Sequence, residues 1–251
     1  MLIDTHCHLD ASEFDADRAQ VIERAKAAGV SGFVVPGVEK RAFSRVLELC
    51  ASDLSCYPAL GIHPLYVNDA KHEDLEDLRG RALQVVAIGE IGLDFFVEGY
   101  DRDLQIEYFE AQLRIAREYD LPVILHVRRA QDTILSCLRR IRVKGGIAHA
   151  FNGSLQQAEE FIKLGFRLGF GGAMTYERAT KIRHLAETLP MESIVLETDS
   201  PDIPPVFIGK SRNSPEYLPK IAEVLADLRK MSLDEVAFMT TQNAKTVLEL
   251  E

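Results

Sequence analysis

Cysteine, long apolar runs and positive charge are all scarce in this sequence of 251 residues. The four cysteines, Cys7, Cys50, Cys56 and Cys137, contain no Cys-x-x-Cys spacing, which argues against a disulfide framework and predicts small, buried, reduced thiols. No run approaches the ~18 uninterrupted apolar residues of a membrane span, and the start lacks the basic and apolar regions of a signal peptide. We therefore expect a cytoplasmic protein with no membrane partner and no obligate protein partner.

The shortage of positive charge limits how the chain can meet nucleic acid. There are 29 Lys and Arg against 39 Asp and Glu, which gives a formal net charge of −10. Because phosphate neutralisation drives broad binding of nucleic acid, this balance argues against a basic surface that coats a long polynucleotide. It does not exclude a substrate held through metal ions, since acidic residues that ligate cations are counted in the same total.

Apolar runs of strand length alternate with amphipathic segments of helix length along the whole chain. Strands are predicted at 2–8, 32–36, 57–61, 85–90, 122–127, 146–149, 166–170 and 193–198. Helices are predicted at 13–29, 39–52, 72–81, 101–119, 131–143, 155–163, 177–189, 215–229 and 232–249. Eight such repeats without a linker favour an α/β fold, namely a (β/α)8 TIM barrel that forms a single domain over 1–251. Two doubly wound halves are the less favoured alternative, because no glycine-rich nucleotide-binding motif follows any strand.

The first predicted strand ends in two histidines separated by one residue. Side chains alternate between the two faces of a strand, so His6 and His8 project to one side and Cys7 to the other. Two neutral imidazoles that face one point suit a borderline cation such as Zn²⁺. Two solvated histidines at a frayed terminus are the alternative.

Four more potential ligands lie at the ends of other predicted strands, where TIM barrels carry their chemistry. These are Glu90, His126, His149 and Asp199. Each one alone is more often a hydrogen-bonding or capping residue, but their coincidence with His6 and His8 indicates a metal site. Six candidate ligands exceed the three that one catalytic zinc requires, so we predict two metal ions that share one bridging group.

Further polar residues follow the predicted strands and could contact a substrate. His63 ends one strand, where a substrate contact and a surface hydrogen bond are equally reasonable roles. Arginines follow His126, and a polar group lies in the long loop after Asp199, so both sets are predicted to form a small phosphate clamp at the barrel mouth. The clamp residues are Arg128, Arg129, Lys210, Arg212 and Asn213.

Several of these stretches resemble the motifs of the TatD-type metal-dependent DNases, within the wider amidohydrolase-like barrel superfamily. The matching stretches are Asp4-Thr5-His6-Cys7-His8-Leu9, Gly61-Ile62-His63-Pro64, Gly89-Glu90-Ile91-Gly92-Leu93-Asp94, Pro122-Val123-Ile124-Leu125-His126, Glu197-Thr198-Asp199-Ser200-Pro201 and Asn243-Ala244. The resemblance implies that His6, His8 and Glu90 hold one metal ion. It implies that Glu90 also joins His126 and His149 around the second ion, and that Asp199 belongs to the first site and acts as general base.

The departures from the family pattern fall around the substrate and not around the metals. Arg129 stands where the family often has an acid, and Ala150 and Asn152 replace the usual Cys and Ser or Thr. The Phe95-Phe96 pair replaces one that commonly includes tyrosine, and Ser211 separates Lys210 from Arg212. The chemistry is expected to survive, with substrate preference the open question.

The leading hypothesis is a divalent-metal-dependent hydrolase, a deoxyribonuclease that acts on DNA ends in the manner of an exonuclease, or on a small phosphodiester. Unstacked bases would rest on aromatics such as Phe95 or Phe96. Amide or ester hydrolysis is the alternative, because the same metals can polarise a carbonyl. A non-catalytic, metal-dependent scaffold is a third hypothesis. The ligand types suit two ions of Zn²⁺, Mn²⁺, Ni²⁺ or Fe²⁺ better than Mg²⁺.

Overall fold

Eight parallel strands follow one another in chain order in one sheet, with helices between them, in the computed structural model that describes residues 1–250. The predicted (β/α)8 TIM barrel is confirmed. Glu251, the last residue of the predicted domain, lies outside the described residues. The strands are β1 Leu2–Asp4, β2 Val30–Gly37, β3 Cys56–Leu60, β4 Ala87–Asp94, β5 Val123–Arg128, β6 Gly146–Ala148, β7 Phe166–Phe170 and β8 Ile194–Leu196.

Nine α-helices are formed by the described residues, close to the nine predicted segments. They are α1 Arg18–Ala27, α2 Lys40–Ser52, α3 His72–Arg81, α4 Arg102–Glu118, α5 Gln131–Arg140, α6 Leu155–Lys163, α7 Thr180–Thr188, α8 Leu218–Arg229 and α9 Leu233–Leu248. The longest, α4, begins where the Asp101 carboxylate accepts hydrogen bonds from the amides of Asp103 and Leu104. Its Phe109 and Leu113 are fully buried, as helical spacing predicts for a covering helix.

The hydrophobic core has an inner and an outer layer. Most of the core packs between the strands and the surrounding helices, while a smaller cluster fills the barrel interior with one side chain from most strands. Ala244 and Leu248 of α9 join this interior cluster, and the Asn243 amide donates to the carbonyls of Met191 and Ile194, each at 2.7 Å. The interior is therefore filled below the level at which β1, β4 and β8 present their polar residues.

The first and last strands meet just beyond their ends. The backbone amide of Thr5 donates to the carbonyl of Leu196 at 3.1 Å, and its hydroxyl donates to the same oxygen at 3.0 Å. Further along both segments, the Asp199 amide donates to the His6 carbonyl at 2.8 Å. These contacts bring the two ends of the barrel sheet together and place His6 beside Asp199.

The strand boundaries differ from the prediction at the positions that carry polar residues. β1 ends at Asp4, so His6 and His8 lie in the connection after it, and β8 ends at Leu196, before Asp199. In contrast, β4 and β5 continue beyond Glu90 and His126. The sequence pattern shows only where a run of apolar residues ends, which is where the strand reaches the polar barrel mouth. Hydrogen bonding between strands can stop before this point or continue beyond it, so the strand bounds differ from the prediction.

The four cysteines are free and buried, as predicted. Cys7 is fully buried in the outer layer of the core, on the side opposite to its histidine neighbours, and its thiol lies 3.7 Å from the Val34 carbonyl. None of the helices in residues 1–250 combines the length and the apolar character needed to cross a bilayer.

Candidate metal centre

Glu90 lies at the centre of the polar cluster in the barrel mouth. Its side chain is only 3% exposed, and its two carboxylate oxygens face different groups of imidazoles. A buried carboxylate is costly unless positive charge or hydrogen bonds compensate it. The other five residues predicted as metal ligands lie around this one carboxylate, within the distances described below.

The first cluster consists of His6, His8, Asp199 and the Oε2 atom of Glu90. The Nε2 atoms of the two histidines lie 3.2 Å apart, and they lie 3.2 and 3.6 Å from Glu90 Oε2. Asp199 Oδ1 lies 3.5 Å from the first ring nitrogen and 3.6 Å from the second. The turn after β1 therefore presents both imidazoles to the two carboxylates.

The second cluster consists of His63, His126, His149 and the Oε1 atom of Glu90. That oxygen lies 3.0 Å from His126 Nδ1, 3.0 Å from His149 Nε2 and 3.4 Å from His63 Nε2. His63 thus occupies the same position relative to Glu90 as the predicted ligands do. From sequence it was interpreted as a substrate contact or a surface residue, but only 9% of its side chain is exposed.

The ligand atoms in both clusters have the spacing that a bound cation requires. Four donors about 2.0–2.1 Å from one tetrahedral ion lie about 3.3 Å from one another. Three groups of residues could hold an ion, and two of them include Glu90. One is Glu90 with His6 and His8, and the other is Glu90 with His63 and His126. The third group consists of His6, His149 and Asp199. The distances in both clusters therefore suit divalent cations.

The orientation of the imidazoles also fits cations. His8 Nδ1 lies 3.2 Å from the carbonyl of Pro36, which can only accept a hydrogen bond, so in the neutral ring that a metal ion requires the proton lies on Nδ1 and the Nε2 lone pair faces Glu90. His126 Nε2 lies 3.0 Å from Asp94 Oδ2, so a neutral ring that donates to Asp94 turns its Nδ1 lone pair toward Glu90 Oε1. Lone pairs and carboxylate oxygens that converge on one point repel each other unless a cation lies between them.

The electrostatics of the cluster favour positive charge. Burial opposes ionisation of Glu90, but the surrounding imidazoles, His149 foremost, hold its pKa well below the ordinary value. Burial also works against charge on His8, and the bond to Asp199 with the nearby Glu90 still raises its pKa to about 9. His63 behaves differently, since burial lowers its pKa to about 4 and keeps the ring neutral, as a metal ligand must be.

Two further carboxylates brace the second cluster, and sequence reasoning did not assign them a role. The Asp94 side chain is fully buried, accepts hydrogen bonds from the amides of Phe96 and Val97, and lies 3.0 Å from His126 Nε2. Although burial works against it, these bonds lower the pKa of Asp94 to about 2. Glu197 lies 3.5 Å from His149 Nδ1. Such partners fix the orientation of a metal-binding ring.

Two glycines make the room that this arrangement needs. A Cβ atom on Gly92, whose φ is +148°, would lie 2.0 Å from the carbonyl oxygen of His126. A Cβ atom on Gly169 would lie 2.1 Å from Glu197 Oε2. Gly92 therefore excludes a larger residue because the backbone of β5 lies too close, and Gly169 excludes one because the Glu197 side chain occupies the space.

The first cluster is braced from below by Asp4, which sequence reasoning also left without a role. Its carboxyl group accepts a hydrogen bond from the Thr198 amide at 3.0 Å and bonds to the Thr198 hydroxyl at 2.6 Å. Burial raises the pKa of Asp4 to about 8. The sequence signal was available, because Asp4 precedes His6 by two residues, as Glu197 precedes Asp199, and alternate residues share a face.

Both clusters open into one cavity of about 1040 Å³ at the barrel mouth. Arg128 lines this cavity, and its guanidinium lies 3.9 Å from the ring centroid of Phe96, with that of Arg129 at 4.5 Å. Phe96 is 44% exposed, whereas Phe95 is half-buried under Arg102. We refer to Phe96, Arg128 and Arg129 as the arginine ledge.

The predicted contribution of the loop after Asp199 to a phosphate clamp needs correction. Arg212 pairs with both carboxylate oxygens of Asp17, at 2.8 and 2.7 Å, and does not line the cavity. Asn213 is fully buried, and its amide donates to the carbonyls of Thr198, Asp202 and Ile203. Both side chains hold the loop in place. Lys210 is exposed but does not line the cavity.

Comparison with known proteins identifies similar sequences across the full length. The model of a family described as TatD related DNase matches residues 3–249. A metal-dependent hydrolase from Escherichia coli K12, YjjV, is 41% identical over 99% of this chain and 98% of its own. A protein from Erwinia amylovora named 3'-5' ssDNA/RNA exonuclease TatD is 32% identical over 99% of this chain and all of its own. The crystal structure of YjjV, described as a TatD homolog, superposes with a TM-score of 0.95 at 40% identity, covering 100% of this chain and 98% of that one.

Proposed function

Because this chain belongs to the TatD-related DNase family, we propose that it hydrolyses phosphodiester bonds at the ends of single-stranded nucleic acid. The match bears out the predicted metal-dependent hydrolase of the TatD type. Relatives that are named exonucleases support a nucleic acid substrate. The observation that carries the proposal is that the two oxygens of Glu90 face two adjoining clusters, which open together into one cavity beside Asp199.

The two clusters would hold one divalent ion each. His6, His8 and Asp199 would bind the first ion, and His126 and His149 the second, with Glu90 shared between them. His63 faces the same oxygen of Glu90 as the second group does. When bound, such ions activate water and stabilise charge on phosphate oxygens, and their ligands favour Zn²⁺, Mn²⁺ or similar ions over Mg²⁺.

The side chains themselves position the reactants. Asp199 lines the cavity with a side chain that is 13% exposed, so it can accept a proton from water that approaches the first cluster. Arg128 lines the same cavity beside the second cluster and can pair with a phosphate oxygen of the substrate. The rings held by Asp94 and Glu197 keep their orientation through the reaction.

The arginine ledge supports a nucleic acid substrate over a small acyl compound. Two guanidinium groups and one exposed aromatic ring meet at the rim of a cavity that holds the candidate metal centre. Phosphates pair with arginine, and unstacked bases stack on aromatic rings and guanidinium planes. A narrow barrel mouth admits one strand end more readily than a duplex.

The proposal is tested with metal-stripped protein that is reloaded ion by ion. End-labelled single-stranded DNA, RNA, a generic phosphodiester and an acyl ester are the four substrates. We expect that the protein reloaded with at least one of the metals tested hydrolyses the oligonucleotides and the generic phosphodiester. Turnover of the acyl ester alone would favour the amidohydrolase alternative, and no turnover of any substrate would favour the scaffold.

We propose that the activity is located in the cytoplasm. All four cysteines are free and buried, which supports a reducing compartment.

A further inference from the structure

A second cavity, of about 600 Å³, adjoins the cavity of the candidate metal centre. The two cavities share Asn152, from the connection after β6, and Ile203, from the loop after Asp199. The rest of the second cavity is formed largely by the connection between β7 and α7 and by the start of α7. We call it the side cavity. A chain that leaves the metal centre between Asn152 and Ile203 enters it directly.

The charge of the side cavity is opposite to that of the main cavity. Besides Glu90 and Asp199, the main cavity is lined by the acidic residues Asp10, Glu13, Glu39 and Asp202. Of its three arginines, Arg41 and Arg45 pair with carboxylates, and Arg128 belongs to the arginine ledge. The side cavity is lined by Arg178 and Lys181 and by no acidic residue. Within residues 1–250, neither of these two cations forms an ion pair. A polyanion is therefore repelled along one wall and attracted along the other.

The side cavity also contains a fixed aromatic ring. The hydroxyl of Tyr176 donates to the Pro204 carbonyl at 3.0 Å, which anchors the half-exposed ring at the cavity wall. The guanidinium of Arg178 lies 5.4 Å from the ring centroid. An anchored aromatic ring beside two cations is the combination with which proteins bind single-stranded nucleic acid, since the ring stacks on a base while the cations pair with phosphates.

We propose that the side cavity is a subsite for a nucleotide next to the scissile phosphate, with Tyr176 beneath its base and Arg178 and Lys181 on its phosphates. The inference rests on the proposed phosphodiesterase function and adds the direction in which the strand runs across the mouth. The strand leads from the metal centre past Asn152, over the β7 side of the barrel, and away from Asp10, Glu13 and Glu39 in the connections after β1 and β2.

The first test is the double variant Arg178→Ala/Lys181→Ala, assayed as the metal-loaded enzyme. The KM for a single-stranded oligonucleotide should rise about tenfold with kcat within twofold, because phosphate contacts outside the reacting centre supply binding and positioning. Turnover of bis(p-nitrophenyl) phosphate, which is too short to reach the side cavity, should not change. An unchanged KM for the oligonucleotide would overturn the subsite while leaving the proposed function intact.

A binding measurement separates the subsite from catalysis. Anisotropy of a labelled, phosphorothioate-protected oligonucleotide should show weaker binding to the double variant, and the slope of log Kd against log salt should fall by about 1.4 for two lost phosphate contacts. This result would support the subsite even if wild-type protein cleaved no nucleic acid, which would contradict the proposed function. Equal affinities and slopes for wild type and variant would overturn the subsite.

The control variant is Arg117→Ala/Arg142→Ala, which removes the same charge from exposed positions near the ends of α4 and α5. This control should bind the oligonucleotide with the affinity of wild type. Its slope of log Kd against log salt should fall by less than half of the reduction expected for Arg178→Ala/Lys181→Ala. If both double variants weaken binding equally, the effect comes from net charge and the subsite assignment fails.

The aromatic contact is tested with Tyr176→Leu and with oligonucleotides that carry one abasic nucleotide at successive positions. Wild type should bind one of these oligonucleotides several-fold more weakly than the rest, and Tyr176→Leu should lose that distinction, since leucine offers no stacking face. Tyr176→Phe, which keeps the ring, should retain it. An identical abasic profile for wild type and Tyr176→Leu would show that no base stacks on this ring.

Discussion

The two clusters around Glu90 are built differently. In the first, His6 and His8 come from one turn after β1, and two carboxylates, Glu90 and Asp199, face them. In the second, three imidazoles come from the ends of β3, β5 and β6, and one carboxylate oxygen of Glu90 faces all of them. The first cluster thus has more negative charge, and the second has more imidazole donors.

The groups that orient the imidazoles from behind also differ between the two clusters. In the first cluster, a neutral backbone carbonyl from Pro36 orients His8. In the second, carboxylates stand behind two of the three rings, Asp94 behind His126 and Glu197 behind His149. A carboxylate behind a ring raises its basicity, which offsets the smaller negative charge on the metal side. The difference leaves Asp199 at the first cluster as the acidic group suited to proton transfer.

The largest effect is expected from Glu90→Gln, which breaks both clusters at once. An amide cannot serve as a charged bridge, so activity should fall at least about a thousandfold. Metal analysis should find less than one ion bound per chain. The exposed Glu159→Gln on α6 serves as a control and should behave like wild type. Wild-type activity of Glu90→Gln would contradict the assignment of Glu90 as a ligand shared by both clusters.

Asp199→Asn should break the first cluster alone. Activity is expected to fall about a hundredfold or more, because the group that accepts the proton of water is lost. One ion per chain should remain, held by the second cluster. Loss of both ions, or wild-type activity, would mean that the clusters do not act as separate halves.

Asp94→Asn should weaken the second cluster with a smaller effect. Asparagine can keep the bonds from the amides of Phe96 and Val97 but provides no charged acceptor for His126. The affinity for one of the two ions should fall about 10- to 100-fold, with much of the activity regained at saturating metal. Titration of activity against metal concentration measures this, and an unchanged titration curve would remove the bracing role.

Cys7→Ala should have the smallest effect and sharpen the boundary of the first cluster. The thiol packs in the outer core, opposite to its histidine neighbours, so both ions and activity should be kept. The cost should appear in the free energy of unfolding, about 1 kcal/mol by urea denaturation, because a small buried group is lost. Loss of metal from this variant would contradict the assignment of His6 and His8 to the metal side and of Cys7 to the hydrophobic core.

The barrel and the clustering of the candidate metal ligands could be predicted from the sequence because each leaves a local signal. A buried strand is an apolar run, and His126 or His149 stands out at its end. The braces could have been found by alternation, since Asp94 lies four residues after Glu90 in the same strand and Glu197 two residues before Asp199.

The roles of the loop residues could not be predicted in the same way. Arg212 and Asn213 follow a turn-rich segment without periodicity, and their partners Asp17 and Thr198 are defined only by the folded chain. The side cavity likewise depends on three connections that are distant in sequence, so neither Tyr176 nor Arg178 carries a local signal. Sequence reasoning therefore identified the chemistry and misplaced part of the substrate contacts.

The most direct test of the shared Glu90 is anomalous diffraction from crystals of the protein loaded with Mn²⁺ or Zn²⁺. The account predicts two peaks, one on each side of the Glu90 carboxylate, with His6, His8 and Asp199 around the first and His126 and His149 around the second. A single peak, or two peaks of which only one contacts Glu90, would contradict it.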